Sequence, residues 1–202
     1  MEYTPQTWWN ENAEKRLGEF KEWVGDANAP SKRYMALYLK EQKDDPYYTL
    51  ADAGCGNGTF YDTLYNERVN IHYTGIDSCQ YFIDMNKNRG IPMIDADIRN
   101  TGLSDRKFDI VFSRHTFEHQ NHVNDIMLEL IRISKREMCH IFFIKPSDTD
   151  TDIINWDANT NLYHNTYSRS MIEKTLSTHS RVLHWKWVNL NEQECALHVY
   201  LK

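Results

Sequence analysis

The chain has no Cys-x-x-Cys pair. Its four cysteines, Cys55, Cys79, Cys139 and Cys195, are scattered over 202 residues. That signals neither a zinc site nor a disulfide framework and points to a reduced compartment. No apolar run approaches the ~20 residues that span a bilayer, and the opening Met-Glu-Tyr-Thr-Pro has no apolar signal core. The expectation is a cytoplasmic protein with no membrane partner. Nor is there a Lys/Arg run longer than two, and 23 basic against 29 acidic residues give a net charge of −6. Chains that grip a phosphate backbone normally carry a basic stripe, so nucleic acid is disfavoured as a partner. Internal repeats and low-complexity segments are also missing. What remains, 41% hydrophobic and 26% charged residues, suits a globular fold with one sizeable core.

Residues 1–45 read as two helices rich in aromatics, with Trp8, Trp9, Phe20, Trp23, Tyr34 and Tyr38. Leu17, Phe20 and Val24 fit one helix face and Tyr34, Leu37 and Tyr38 another, with a break at residues 25–30. From there strands and helices alternate. Strands are expected at residues 47–53, 71–76, 93–96, 108–113 and 138–145, and helices at 59–68, 78–88 and 122–135. Ser78 is the expected cap of the helix to Asn88, and Gly90 its stop. Strands separated by helices of this length imply βαβ units and a parallel sheet. A helix at 168–178 precedes two strands, 182–188 and 196–201, whose short turn forces them antiparallel.

The chemistry starts at Leu50-Ala-Asp-Ala-Gly-Cys-Gly-Asn-Gly58. An apolar strand carrying Asp52 breaks into Gly54, Gly56 and Gly58, a loop whose backbone must approach a ligand closely, beside the N–H groups that open the next helix. The spacing is not the G-x-G-x-x-G of dinucleotide sites. Asp77 lies 23 residues after Gly54, at the end of the second strand. A carboxylate there can accept both hydroxyls of a ribose. Asp97 with Ile98, closing the third strand, suits an adenine: the acid accepts from the exocyclic amine and the next N–H serves a ring nitrogen.

With Phe108-Asp109-Ile110-Val111 and Ser113-Arg114-His115-Thr116-Phe117-Glu118-His119 following, the chain resembles the class I S-adenosylmethionine-dependent methyltransferases over roughly residues 48–146. The resemblance implies an α/β, Rossmann-like fold: a seven-stranded, mostly parallel sheet with an antiparallel last strand and helices on both faces. It implies one domain over 1–202, with 1–45 a helical cap or lid, 46–146 a cofactor-binding core, and 147–202 an acceptor-side loop, helix and hairpin. S-adenosylmethionine is the implied cofactor. Gly54, Cys55 and Gly56 would line its methionine part and Asp52 its amino group, with Gly58 closing the loop. Asp77 and Ser78 would hold the ribose, Asp97 and Ile98 the adenine. Ser113 and Arg114 would sit under the sulfonium. Separately from the resemblance, Arg33 at the start of the second helix is a candidate partner of the cofactor carboxylate, the alternative being a solvated arginine. Two positions depart from the family: Ser134-Lys-Arg-Glu137 replaces a Lys-Pro-Gly-Gly turn, and Arg114 stands where a small or apolar residue is common.

His115, Glu118, His119 and His122 crowd together after the fourth strand. His115 or His119 is a candidate base, with Glu118 orienting it. The cluster also resembles the E-x-x-E-H magnesium site of ubiquinone-pathway O-methyltransferases, but His115 replaces the first glutamate and imidazole is a poor magnesium ligand, so no metal is expected. Residues 155–167 form a long, polar, aromatic loop, and Trp156, Tyr163, His164 and Tyr167 are the acceptor-side candidates. The expected activity is O- or N-methylation of a small-molecule acceptor. The rivals are a cofactor-binding partner protein without turnover and a nicotinamide oxidoreductase.

Overall fold

The computed structural model describes residues 5–19, 26–41, 48–121, 123–160 and 162–202. Phe20, Trp23, Val24 and His122, named above, lie outside them. The chain divides into two compact units, Met1–Ile98 and Arg99–Lys202.

The first unit holds α1 (Pro5–Glu19), α2 (Pro30–Glu41), β1 (Thr49–Ala53), α3 (Thr59–Asn66), β2 (His72–Asp77), α4 (Gln80–Asn88) and β3 (Met93–Asp95). The three strands are parallel, with Ala53 opposite Ile76 and Asp77 opposite Asp95. β1 is buried at four consecutive positions, as its continuous apolar run requires in a parallel sheet. In α1, Ala13 packs with Cys79 and Phe82, and Trp9, Leu17 and Met85 surround them. The rings of Trp9 and Phe82 lie 5.6 Å apart and Trp8 is buried. Trp9 thus packs α1 against α4, with Trp8 edge-on to it. In α2 the expected Tyr34, Leu37 and Tyr38 stripe is not the buried one. Ser31, Lys32, Met35, Ala36 and Leu39 face inward and Leu37 is 42% exposed. Both stripes satisfy helical spacing, and the buried one carries the small side chains that let the helix approach closely.

Ser78 does not cap α4. Its N-cap is Cys79, without a side-chain cap bond. The free N–H groups are served from elsewhere: Asp77 Oδ1 accepts from Cys79 N–H at 2.9 Å and Asn10 Oδ1 of α1 from Gln80 N–H at 3.0 Å. Gly90 does end the helix, at φ 77°.

The second unit holds β4 (Phe108–Arg114), a 3-10 turn (Phe117–His119), α5 (Val123–Ile133), β5 (Ser134–Phe142), β6 (Trp156–Asp157), β7 (Leu162–Tyr163), α6 (Arg169–Thr178), β8 (Val182–Asn189) and β9 (Cys195–Leu201). β5 starts and stops earlier than the expected 138–145. At its start, Arg181 donates to the carbonyls of Ile131 and Ser134 and closes α5 directly onto the strand. At its end, Phe143 and Ile144 give their N–H groups to the Glu118 carboxylate. The expected loop at 155–167 contains a small hairpin, β6 with β7, that the polar composition concealed. Ser168 caps α6 through its Oγ, 3.2 Å from Met171 N–H.

β4 and β5 are parallel, β9 runs antiparallel to β5, and β8 antiparallel to β9. The seven-stranded sheet has the order β3-β2-β1-β4-β5-β9-β8. It is mostly parallel, with the last strand in sequence antiparallel, surrounded by helices. Among the described residues, no helix is long and apolar enough to cross a membrane.

Candidate active site

In the first unit, the loop after β1 turns back on β2. Gly54 and Cys55 both donate to the Ile76 carbonyl, at 2.8 and 3.2 Å. Asp77, at the tip of β2, accepts Gly56 N–H on Oδ2 at 2.8 Å and Cys79 N–H on Oδ1 at 2.9 Å. Burial raises its carboxyl above the usual carboxylate range, and the N–H groups of Cys79 and Gly56 oppose that rise. From the opposite side α4 grips the loop: Asn86 Nδ2 donates to the Gly56 carbonyl at 2.7 Å and Arg89 to that of Asn57 at 2.9 Å. Sequence reasoning missed Asn86. Its signal was a polar residue continuing the buried stripe of Phe82 and Ile83.

Gly56 and Gly58 share a left-handed backbone but differ in surroundings. A Cβ on Gly58 (φ 73°) would lie 2.4 Å from Asn86 Oδ1, whereas one on Gly56 (φ 52°) meets nothing within 4 Å. Gly58 is thus required by packing, and Gly56 presents open backbone, a cradle that a side chain would fill. Left-handed backbone alone costs about 1–2 kcal/mol for a non-glycine residue. Gly58→Ala is expected to lower unfolding free energy by more than that, because Asn86 must also shift. Gly56→Ala should cost only the backbone term yet weaken S-adenosylhomocysteine binding at least tenfold. Urea unfolding and calorimetry on the two variants separate these effects.

Other expected residues fall differently. Asp52 is buried, and its Oδ2 accepts from the Tyr73 hydroxyl at 2.8 Å. The Cys55 thiol turns inward, 3.8 Å from Met93 Sδ. Burial, then Asp77 and Asp52, push it well above the ordinary thiol range, so it is an inert filler. Ile98 is buried and Asp97 half-buried just beyond β3, and Ser78 is half-buried beside Asp77. Arg33 is not part of this constellation: it projects from α2 and pairs with Glu67 at 2.8 Å. Its neighbour Lys32 is the buried cation, donating to the Asp26 carbonyl at 2.9 Å and to Thr59 Oγ1, at the start of α3, at 2.5 Å.

In the second unit, Ser113 is fully buried and Arg114 pairs with Glu194 at 3.4 Å. His115 has φ 54°, an uncommon conformation for a non-glycine residue, and its Nε2 lies 2.7 Å from Glu194 Oε1. Burial lowers its imidazole to about 4; the hydrogen bond it donates to Glu194 opposes this, and the Arg114 charge adds to it. His119 is also held below the ordinary histidine range by burial, with its Nδ1 2.7 Å from the Tyr163 carbonyl.

Glu118 orients neither imidazole, contrary to the expectation from its place between them in sequence. Its Oε1 accepts Phe143 N–H at 2.5 Å and Ile144 N–H at 3.3 Å, and its Oε2 faces His140 Nε2 at 3.5 Å. Burial would raise its carboxyl, but the contact with His140, the nearby His115 and a backbone N–H together outweigh it and the net direction is down. His140 is itself lowered, chiefly by burial, and lies flat on Phe117 with centroids 3.7 Å apart. Ser113 Oγ and His140 Nδ1 have no hydrogen-bond partner among the described residues.

The rings of His115, His119 and His164 gather around Phe143, with centroids 5.2, 5.3 and 5.9 Å from it. Trp156 meets Tyr163 edge-on at 4.8 Å. Tyr167 was expected at the acceptor but is fully buried, its hydroxyl held between the carbonyls of Phe117 and Gln120. It anchors the 3-10 turn and is not available to a ligand. Among the described residues, no group of three or more His, Cys, Asp or Glu is placed to hold a metal ion.

The strand order and glycine loop define the class I methyltransferase fold. Residues 51–141 match the family model described as a methyltransferase domain. The human probable tRNA methyltransferase 9B is 33% identical over 82 residues, which is 41% of this chain; the chain spans only 17% of that relative. Magnesium protoporphyrin IX methyltransferase of Synechocystis PCC 6803, crystallised with S-adenosylhomocysteine, is similar in fold. It has a TM-score of 0.72 and 12% identity, with 98% of each chain covered. The Burkholderia thailandensis 1,6-didemethyltoxoflavin-N1-methyltransferase has a TM-score of 0.67 and 11% identity, with 96% of this chain and 88% of that one covered.

Proposed function

We propose that the protein transfers a methyl group from S-adenosylmethionine to the O–H or N–H of a small-molecule acceptor. The observation that carries this reading is the tip of β1 and β2. Asp77 fixes the Gly56 N–H while the outer side of Gly56 stays open. A carboxylate has about four lone-pair positions, so Asp77 can hold the loop and still accept ribose hydroxyls. Asp97 and Ile98 are assigned to the adenine, and the backbone of Gly54, Cys55 and Gly56 to the methionine part. The resemblance adds Ser113 and Arg114 near the sulfonium. When bound, the cofactor supplies a methyl already activated for displacement by its sulfonium. The protein then has to align the acceptor, exclude water and, where the acceptor is protonated, take a proton. His115 and His119 are the candidates for that proton, and Trp156, Tyr163 and His164 for acceptor contact.

Calorimetry with S-adenosylmethionine, S-adenosylhomocysteine and NAD tests the cofactor. The two sulfur nucleosides are expected to bind and NAD is not; no binding of either at millimolar concentration would sink the reading. The net charge of −6 and lack of basic runs favour a small acceptor. The name of the human relative favours a second reading, in which the acceptor is tRNA. Incubating the protein and methyl-labelled cofactor with separate small-molecule and RNA fractions decides between them. Label confined to RNA would replace the first reading with the second, and binding without any transfer would favour a partner protein without turnover.

A further inference from the structure

The turn between β8 and β9 puts a carboxylate on His115 that no residue pattern signals. Glu194 Oε1 lies 2.7 Å from His115 Nε2 and 3.4 Å from Arg114. Its Oε2 accepts from Asn191 Nδ2 at 2.7 Å, and its own N–H donates to Asn191 Oδ1 at 2.7 Å. Lys145 Nζ donates in turn to the Asn191 carbonyl at 2.5 Å. The Glu194 side chain is only 13% exposed. The carboxylate is therefore held from several sides and aimed at one ring nitrogen.

We propose that Glu194 is a positioning residue that fixes His115 in the Nε2–H tautomer, leaving Nδ1 as the proton acceptor for an acceptor molecule bearing an ionisable O–H or N–H. An ionised carboxylate only accepts hydrogen bonds, so the shared proton belongs to Nε2 and the lone pair to Nδ1. Among the described residues nothing is hydrogen-bonded to that Nδ1. The left-handed backbone of His115, φ 54°, is the kind of local strain that persists where a side chain is held for a purpose. In the step this supports, the O–H or N–H bond of the acceptor breaks. Its electron pair forms the bond to the transferred methyl, and its proton comes to rest on Nδ1. The resulting imidazolium is stabilised by Glu194 through Nε2–H. The other charged groups facing His115 are Arg114, which disfavours the imidazolium, and Glu118, which favours it.

The inference rests on the methyl-transfer reading for its purpose, but its test does not. Protein labelled with 15N-histidine is followed by long-range proton–nitrogen correlation without cofactor or acceptor, the His115 signals being assigned from His115→Gln. The expected wild-type spectrum at neutral pH shows Nε2 protonated and Nδ1 bare. In Glu194→Gln, the tautomers are expected to mix and protonation of the ring to move to lower pH, because the lost carboxylate favours the charged form. Glu194→Asp should restore part of the preference. A wild-type Nδ1–H tautomer, or an imidazolium at neutral pH, would overturn the proposal even if the variants fail to fold. An unchanged tautomer in a folded Glu194→Gln would overturn it too. Failure of cofactor binding in calorimetry would instead count against the methyl-transfer reading alone.

Discussion

Replacing Glu118 by alanine is expected to destabilise the protein by about 1–3 kcal/mol for each buried N–H group left without its acceptor. The carboxylate is fully buried and holds the N–H groups of Phe143 and Ile144 as well as facing His140. Alanine would leave both N–H groups and the imidazole without that partner. Glu118→Gln keeps one oxygen for the N–H groups and should cost clearly less. Urea unfolding at pH 7 measures both, and equal losses would mean that the N–H contacts matter little.

The same cluster sets an acid limit on stability. Glu118 is held below its ordinary 4.5 in the folded state, so its contribution is present above that pH and is lost as the pH falls through the folded value. His115, His119 and His140 are all held below 6.5. Below that pH the unfolded chain takes up protons that the folded chain refuses, so stability falls as the solution is acidified. For His115 the loss continues to about pH 4, where the folded ring also protonates. The melting temperature should therefore decline from pH 6.5 towards 4. A flat profile across that window would contradict the burial of these rings as neutral groups.

The second large effect is on cofactor affinity. Asp77→Ala is expected to weaken S-adenosylhomocysteine binding at least tenfold, about 1.4 kcal/mol. The substitution removes the acceptor assigned to the ribose and also frees Gly56 N–H and Cys79 N–H, which shape the loop. Asp77→Asn keeps an acceptor oxygen and should fall between. Calorimetry with an affinity unchanged in Asp77→Ala would remove the ribose assignment.

The cofactor side was legible because it is local. Three glycines at alternate positions after a buried strand, and an acid at the next strand end, are constraints that neighbouring residues impose on one backbone. Gly58 illustrates the limit: the sequence marks it as part of a ligand loop, whereas the contact that requires it is with Asn86, 28 residues away. Helix periodicity likewise identified α2 without choosing between its two adjacent stripes.

The second half of the site was legible as a list of residue types and not as an arrangement. His115, Glu118 and His119 were visible as a cluster, and proximity in sequence suggested that Glu118 serves the histidines. In the folded chain Glu118 turns to β5, and the carboxylate on His115 comes from the last hairpin, 79 positions later. Tyr167 and Trp156 looked alike as loop aromatics; one is sealed under the 3-10 turn and the other is 42% exposed. Hydrophobic periodicity and backbone sterics act over a few residues, so the strands and helices of the main sheet and the glycine–acid end of β1 and β2 were readable from the chain, whereas the β6–β7 hairpin was not. Which polar side chains meet emerges in the folded chain alone, because those pairings are made by strands and turns brought together from distant parts of it.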